Sequence, residues 1–300
     1  MSDKLCILID IGGTAIKYGV SSYAGDFLTK DQMPTQAKEH GGPGIVKKVK
    51  DIVTNYLATY ADKIDAVAIS TAGMVDPDSC KIVYSLPDAI PDYTGVNYKE
   101  IIYDNFKLPC FVENDVNCAA MGEKWLGAGR GCHSIFAMTI GTSIGGAMIC
   151  NDRLISGASN SAGEIAYMRT PKGILHDTAS TTYLVKTYAA MKGLDVKDVN
   201  GIIIFDNAQK GEIQAVEAID MLIDNLTDGI ANVVTVQNPQ AVILGGGIMA
   251  RKEYLKERIE NSLATKLREI VFKATRIEFA SLQNDAGMLG ALYNLKQRMQ

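Results

Sequence analysis

The chain carries a run, Asp10-Ile11-Gly12-Gly13-Thr14, between two apolar stretches. Two adjacent glycines let a backbone turn tightly and bring N–H groups close to an anion, as in phosphate-binding turns. Thr14 adds a hydroxyl, and Asp10 can hold a cation or the water around one. Alone, this is equally a hairpin turn with two glycines. A second run, Thr139-Ile140-Gly141-Thr142-Ser143-Ile144-Gly145-Gly146, repeats the arrangement of strand, glycine and hydroxyl turn, strand. Gly141, Thr142 and Gly145 then offer a second phosphate clamp, facing the first across a cleft. A third, Gly245-Gly246-Gly247, follows an apolar strand, and bare backbone at Gly246 and Gly247 could lie flat under a nucleotide base. Its plain alternative is a flexible strand-to-helix turn.

The remaining polar run is Glu113-Asn114-Asp115-Val116-Asn117, closing an apolar strand and opening a helix. Asp115 there could be an N-cap. Four polar residues are more than a cap needs, and the carboxyl ends of strands are where α/β proteins keep their sites. Gly163-Glu164-Ile165-Ala166-Tyr167-Met168 would put Glu164 and Tyr167 on one face if helical. No G-x-x-x-x-G-K-[ST] run occurs, which excludes a P-loop. Gly127-Ala128-Gly129-Arg130-Gly131 has neither the spacing nor the preceding strand of a dinucleotide fingerprint.

The elements that must hold these residues read as two halves. Apolar runs predict strands at 4–11, 15–21 and 26–33, a helix opened by Pro43 and running to about 61, and a strand at 66–70. A loop follows from Gly73 to Gly95, with a short strand near 82–84. Next come a helix at 98–106, a strand at 110–113 and a helix from 115 to about 126. The pattern restarts with strands at 134–140 and 144–150. Helices at 179–191 and 212–237, a strand at 241–244, a helix at 254–266, a strand at 276–279 and a closing helix at 286–296 complete it. Val216, Ile219, Ile223, Leu226, Ile230 and Val233 alternate by three and four, as one buried helix face requires.

Three hundred residues suit two domains. The hydrophobic share of 47% and charged share of 21% exclude a disordered chain, a collagen and a coiled coil. A net charge of −4 gives no basic excess for a phosphate backbone, so no nucleic-acid partner is expected. The longest uncharged runs carry glycines, hydroxyls, amides and a proline, so no membrane partner is expected either. No secretory signal is visible. The six cysteines are scattered and form no C-x-x-C pair, which reads as reduced thiols in the cytoplasm. With only three separated histidines, a structural zinc site has little to be built from.

Taken in order, Asp10–Thr14, Glu113–Asn117, Gly141–Gly146, Gly163-Glu164 with Met168, Gly245–Gly247 and Asn284-Asp285-Ala286-Gly287-Met288-Leu289-Gly290-Ala291 resemble the motifs of the ROK sugar kinases, a family of the actin-like ATPase superfold. The resemblance spans almost the whole chain. It implies an α/β fold of two RNase H-like domains with ATP and a hexose in the cleft between them. The domains would be 1–118 with the C-terminal helix 288–300, the smaller, and 119–287, the larger. It implies Asp115 as catalytic base, and Asn114, Asp115 and Glu164 as residues that grip sugar hydroxyls, with Gly73 beside them. Asp10, Gly12, Gly13, Thr14, Gly141, Thr142, Gly145, Gly246 and Gly247 become the ATP site, with Asp10 holding Mg²⁺ through water. A homodimer is common among such relatives.

The chain departs from the family after Glu164. Many relatives have a histidine where Tyr167 stands, then a cysteine-rich zinc loop. Here Arg169–Asp177 has no cysteine, and His176 stands about where the loop's sugar-binding glutamate would. Zinc is therefore not expected, and Tyr167 and His176 make an altered wall near the sugar's C1 and C2. Two branches resemble this pattern. Glu113–Gly127 is similar to the β-glucoside kinases, and Ile82–Gly95 to the N-acetylmannosamine kinases. The expected activity is phosphoryl transfer to the 6-hydroxyl of a hexose, a β-glucoside first, with N-acetylmannosamine or glucose as alternatives. A non-catalytic sugar-sensing regulator is the alternative of another class. Such repressors carry a helix-turn-helix before the first strand, and a strand beginning near Lys4 leaves no room for one.

Overall fold

A computed structural model describes residues 4–299. The chain folds into two compact units. The first comprises the residues up to Trp125, Gly157–Ser161 and those from Asn284 onward; the second comprises Leu126–Ser156 and Ala162–Gln283. The expected break after residue 118 falls inside the helix Asp115–Leu126. The expected break at 287/288 falls inside the helix Ala286–Arg298.

In the first unit a five-stranded sheet has the order Phe27–Pro34, Ala15–Ser22, Leu5–Ile11, Ile64–Thr71, Cys110–Asn114. The first three pair antiparallel and the last two join in parallel. The second unit repeats this plan with Arg153–Leu154, Ile144–Cys150, Ile135–Ile140, Ala241–Gly245 and Arg276–Phe279. Each unit has its own core. Ile7, Ile9, Val67, Ile69 and Val112 pack in the first; Phe136, Met138, Val242, Leu244 and the inner face of Ile213–Gln237 pack in the second. No described helix is long and apolar enough to cross a membrane.

Several elements differ from their sequence reading. The helix expected from Pro43 begins at Ala37 and runs to Tyr60, with non-helical backbone at Gly41 just before the proline. Helices Gly201–Gln209 and Glu269–Ala274 form where none was expected. The helix expected at 179–191 is Thr181–Lys192, and a short helix, Leu175–Ala179, precedes it. Ser180 divides them, its side chain accepting from the Tyr183 amide as an N-cap.

Candidate active site

In the first unit, the parallel register sets Asp10 beside Ser70, and Ser70 beside Glu113, on three neighbouring strands. In-register residues of adjacent strands share a face. The Ser70 hydroxyl donates to Asp10 Oδ1 at 2.6 Å, and Lys17 Nζ lies 3.9 Å from Asp10 Oδ2. Burial pushes the Asp10 carboxyl up, while the Ser70 hydrogen bond and the Lys17 charge pull it back. Gly287, in the first turn of Ala286–Arg298, comes so close that a Cβ there would lie 2.6 Å from Asp10 Oδ1. Ser70, Lys17 and Gly287 were not singled out as partners of Asp10 in the sequence, because only strand pairing and helix docking bring them together.

The Gly12–Thr14 turn is fastened from Thr35, whose hydroxyl donates to the Gly12 carbonyl at 2.6 Å and whose amide donates to the Thr14 carbonyl at 2.9 Å. Gly12 N–H closes the turn on the Ala15 carbonyl, and Gly13 and Thr14 are exposed. In the second unit Gly141 N–H likewise bonds inside its own turn, to the Ser143 carbonyl at 2.9 Å. The two first glycines shape the turns. The exposed residues of these turns are Gly13 and Thr14 in the first unit and Thr142 and Ser143 in the second.

Asn114 and Asp115 end the strand Cys110–Asn114 and open the helix Asp115–Leu126. Capping is done by Asn114, whose Oδ1 accepts from the amides of Val116 and Asn117 at 2.9 and 3.1 Å. The Asn114 Nδ2 donates to the Gly73 carbonyl at 2.9 Å. Asp115 stands one residue inside the cap, its Oδ1 accepting from the Val116 amide at 2.9 Å. The structure thus joins Gly73, Asn114 and Asp115 in one unit, and the N-cap reading of Asp115 gives way to Asn114.

In the second unit a cavity of about 320 Å³ is lined by Gly141 and Thr142 of the turn, by Thr181, by Gly201, Ile202 and Phe205, and by Gly247, Ile248 and Arg251. This volume is within the range of small-molecule sites. Three glycines, Gly141, Gly201 and Gly247, leave bare backbone in its wall. Gly246 adjoins it with φ of 107°, and any Cβ would strike the Ile140 carbonyl. Arg251 Nη2 is fixed by Asp206 Oδ1 at 2.7 Å. Gly145 lies in the strand Ile144–Cys150 and does not line the cavity. Ile202 and Phe205 were missed, since Gly201–Gln209 was not recognised as a helix, and Arg251 because only tertiary contact with Asp206 brings it there. Asn200 was its signal: the side chain caps the helix by accepting from Ile203 N.

Gly146 and Gly163 meet backbone to backbone, which seats the turn that carries Glu164 against the strand Ile144–Cys150. Glu164 is exposed, with its carboxyl pushed up by desolvation. Tyr167 ends the short helix Ile165–Tyr167 and is 65% exposed. A small hairpin of Arg169–Thr170 and Gly173–Ile174 follows. Lys172 in its turn is ion-paired with Asp224 and Asp228 of the long helix, and Lys266 bridges the same two acids. His176 Nδ1 is 2.8 Å from the Ser143 hydroxyl, which ties it to the glycine turn. Among the described residues no group of three or more His, Cys, Asp or Glu could hold a metal.

The ROK family model matches residues 6–298. The chain is 31% identical to a β-glucoside kinase of Listeria innocua over 296 residues, 96% of each protein. Among solved structures it resembles a Listeria monocytogenes protein provisionally named N-acetylmannosamine kinase, with 29% identity, a TM-score of 0.86 and 99% and 100% of the two chains covered. It also resembles a ROK glucokinase of Streptomyces griseus in complex with glucose and AMPPNP, with 25% identity, a TM-score of 0.76 and 96% and 98% covered. The chain belongs to the ROK family, with the two-unit α/β fold of its sugar kinases. Its enzyme class is that of an ATP-dependent sugar kinase.

Proposed function

We propose that this protein transfers the γ-phosphoryl group of ATP to the 6-hydroxyl of a hexose, and that its preferred acceptor is a β-glucoside. The observation that carries the reading is the division of labour at the helix Asp115–Leu126. Asn114 caps it by accepting from the Val116 and Asn117 amides, and Asp115 places a carboxylate at the end of the strand Cys110–Asn114, where α/β proteins keep their sites. A carboxylate within reach of a sugar hydroxyl can take its proton as the phosphoryl group arrives. Asn114 and Gly73 hold the sugar beside Asp115. Glu164 and Tyr167 are the residues of the second unit that the family resemblance assigns to sugar. The cavity at Gly141 and Gly247 takes the adenosine, and the Gly12–Thr14 and Gly141–Ser143 turns take the phosphates.

Mg²⁺ neutralises phosphate charge in such transfers. It keeps most of its waters and asks for one or two carboxylates beside substrate phosphates. Asp10, a single carboxylate oriented by the Ser70 hydroxyl, fits that demand. The segment Arg169–Asp177 carries no cysteine, and that donor set does not suit a tetrahedral zinc.

The β-glucoside reading draws on the relative at 31% identity and on Tyr167, whose open ring suits the apolar face of a second sugar. His176, its Nδ1 engaged by Ser143, keeps one ring nitrogen for a hydroxyl of that sugar. The neighbour provisionally named for N-acetylmannosamine favours a second reading, a monosaccharide with a 2-acetamido group. Coupled ADP release in zinc-free buffer with Mg²⁺, over cellobiose, gentiobiose, glucose and N-acetylmannosamine, separates them. The expected order of kcat/KM puts the β-diglucosides first. Highest kcat/KM for N-acetylmannosamine would move the assignment to the second reading, and no turnover of any sugar would overturn both.

A further inference from the structure

Glu113 is the carboxylate of the Glu113–Asn117 run to which the reaction gives no role, and it is 2% exposed. A buried carboxylate is costly unless hydrogen bonds satisfy it. Its Oε1 accepts from the Asn114 amide at 2.8 Å and from Asn117 Nδ2 at 3.0 Å. Asn114 in turn accepts from the Val116 and Asn117 amides and donates to the Gly73 carbonyl. The bonds form one continuous set. Glu113 holds both ends of the first helical turn, and that turn holds Asn114 and Asp115 at its start.

We infer that Glu113 is a positioning residue for phosphoryl transfer, acting through Asn114 and Asn117 to fix the direction in which Asp115 presents its carboxylate. This rests on the role proposed above for Asp115. The need for it is geometric: a base misplaced by about 1 Å can cost about 100-fold in rate. The strand supplies no such constraint, because it ends at Asn114, and the helix begins at the next residue. Burial pushes the Glu113 carboxyl up, and the bonds from Asn117 and Asn114, with the Arg298 charge, pull it back. One oxygen serves both donors, which an amide oxygen can also do.

The test compares Glu113→Ala, Glu113→Gln and Asn117→Ala in the full-length protein by steady-state kinetics and by hydrogen exchange of the segment 113–117. Glu113→Ala is expected to lower kcat about 10- to 100-fold, leave KM for ATP within about 2-fold and speed exchange of the Val116 and Asn117 amides. Glu113→Gln should restore both readouts to within about 3-fold of the parent protein, since its oxygen can accept both bonds. Should Glu113→Ala not fold, Asn117→Ala removes one of the two bonds and should reproduce the same losses in part. Parental kcat and exchange in the alanine variants would overturn the inference. So would a glutamine variant as slow as the alanine one, which would point to the charge rather than the bonds. If the parent protein phosphorylates no sugar, the proposed function fails while the exchange comparison still decides whether Glu113 orders the turn.

Discussion

Asp115 and Asn114 are neighbours of similar shape with separate work, and the difference is testable by exchanging one for the other's chemistry. Asp115→Asn keeps volume and leaves the Asn114 cap bonds to Val116 and Asn117 in place. Thermal stability should therefore hold while kcat falls about 10²–10⁴-fold, the usual contribution of a general base. Parental turnover in that variant would remove Asp115 from the chemistry. A second residue-scale consequence concerns pH. Burial raises the carboxyls of Asp10 and Glu113 above their ordinary 3.8 and 4.5. The folded state then binds protons more tightly than the unfolded one, so stability falls as pH rises from the ordinary values through the raised ones. Asp76 and Asp224 are lowered instead, so their contribution is present above 3.8 and lost as pH falls through the lowered values. Thermal midpoints should peak in mild acid. As pH rises above 4.5 the decline should be shallower in Glu113→Gln than in the parent. Equal slopes would show that Glu113 does not contribute to it.

The strands and the long helix were legible from apolar runs, because a buried strand and a one-sided helix leave periodic marks. Ile213–Gln237, for one, buries Ile219, Ile223, Leu226, Ile230 and Val233 as their spacing requires. What the sequence hid depends on tertiary contact. Gly201–Gln209 starts on a glycine and is short, so its apolar run Ile202–Phe205 reads as easily as a strand. Nothing local announces that Lys172 will meet Asp224 and Asp228, or His176 the Ser143 hydroxyl. The site's glycine turns were legible, but not which amides they would spend on themselves. The motif at Asn284–Ala291 was recognisable without a role; the structure supplies one in Gly287, which lets the closing helix rest on Asp10. Gly287→Ala would press a Cβ onto that carboxylate, with 2.6 Å to Oδ1 and 2.7 Å to Cγ. Overpacking of this kind costs about 1–3 kcal/mol. It should also displace the carboxylate proposed to hold the hydrated Mg²⁺, so kcat should fall about 100-fold with a modest loss in melting temperature. A variant with parental kcat would show that Asp10 need not keep its place.

At the scale of the whole chain, the same sheet order is built twice, and each copy has a core of its own. The groups proposed for the reaction divide accordingly. Asp10, the Gly12–Thr14 turn, Gly73, Asn114 and Asp115 belong to the first unit. The cavity at Gly141, Gly201 and Gly247, with Glu164, Tyr167 and His176, belongs to the second. This division allows the nucleotide assignment to be tested in parts. Adenosine carries a base and ribose but no phosphate, so its contacts should all fall on the cavity walls. Hydrogen exchange with saturating adenosine should slow amides around 140–142, 201–205 and 246–251 and leave 10–14 unchanged. MgATP adds the phosphates and the cation, and protection should then extend to Gly13 and Thr14, whose exposed positions give them solvent to lose. Slowing at 10–14 by adenosine alone would mean that the base does not sit where Gly141 and Gly247 suggest. MgATP protection confined to the second unit would deny the Asp10–Thr14 turn its phosphate role while leaving the cavity as the adenosine site. A binding event slows exchange only where it holds structure closed or covers amides, so the two footprints together assign each glycine turn to the part of the nucleotide it meets.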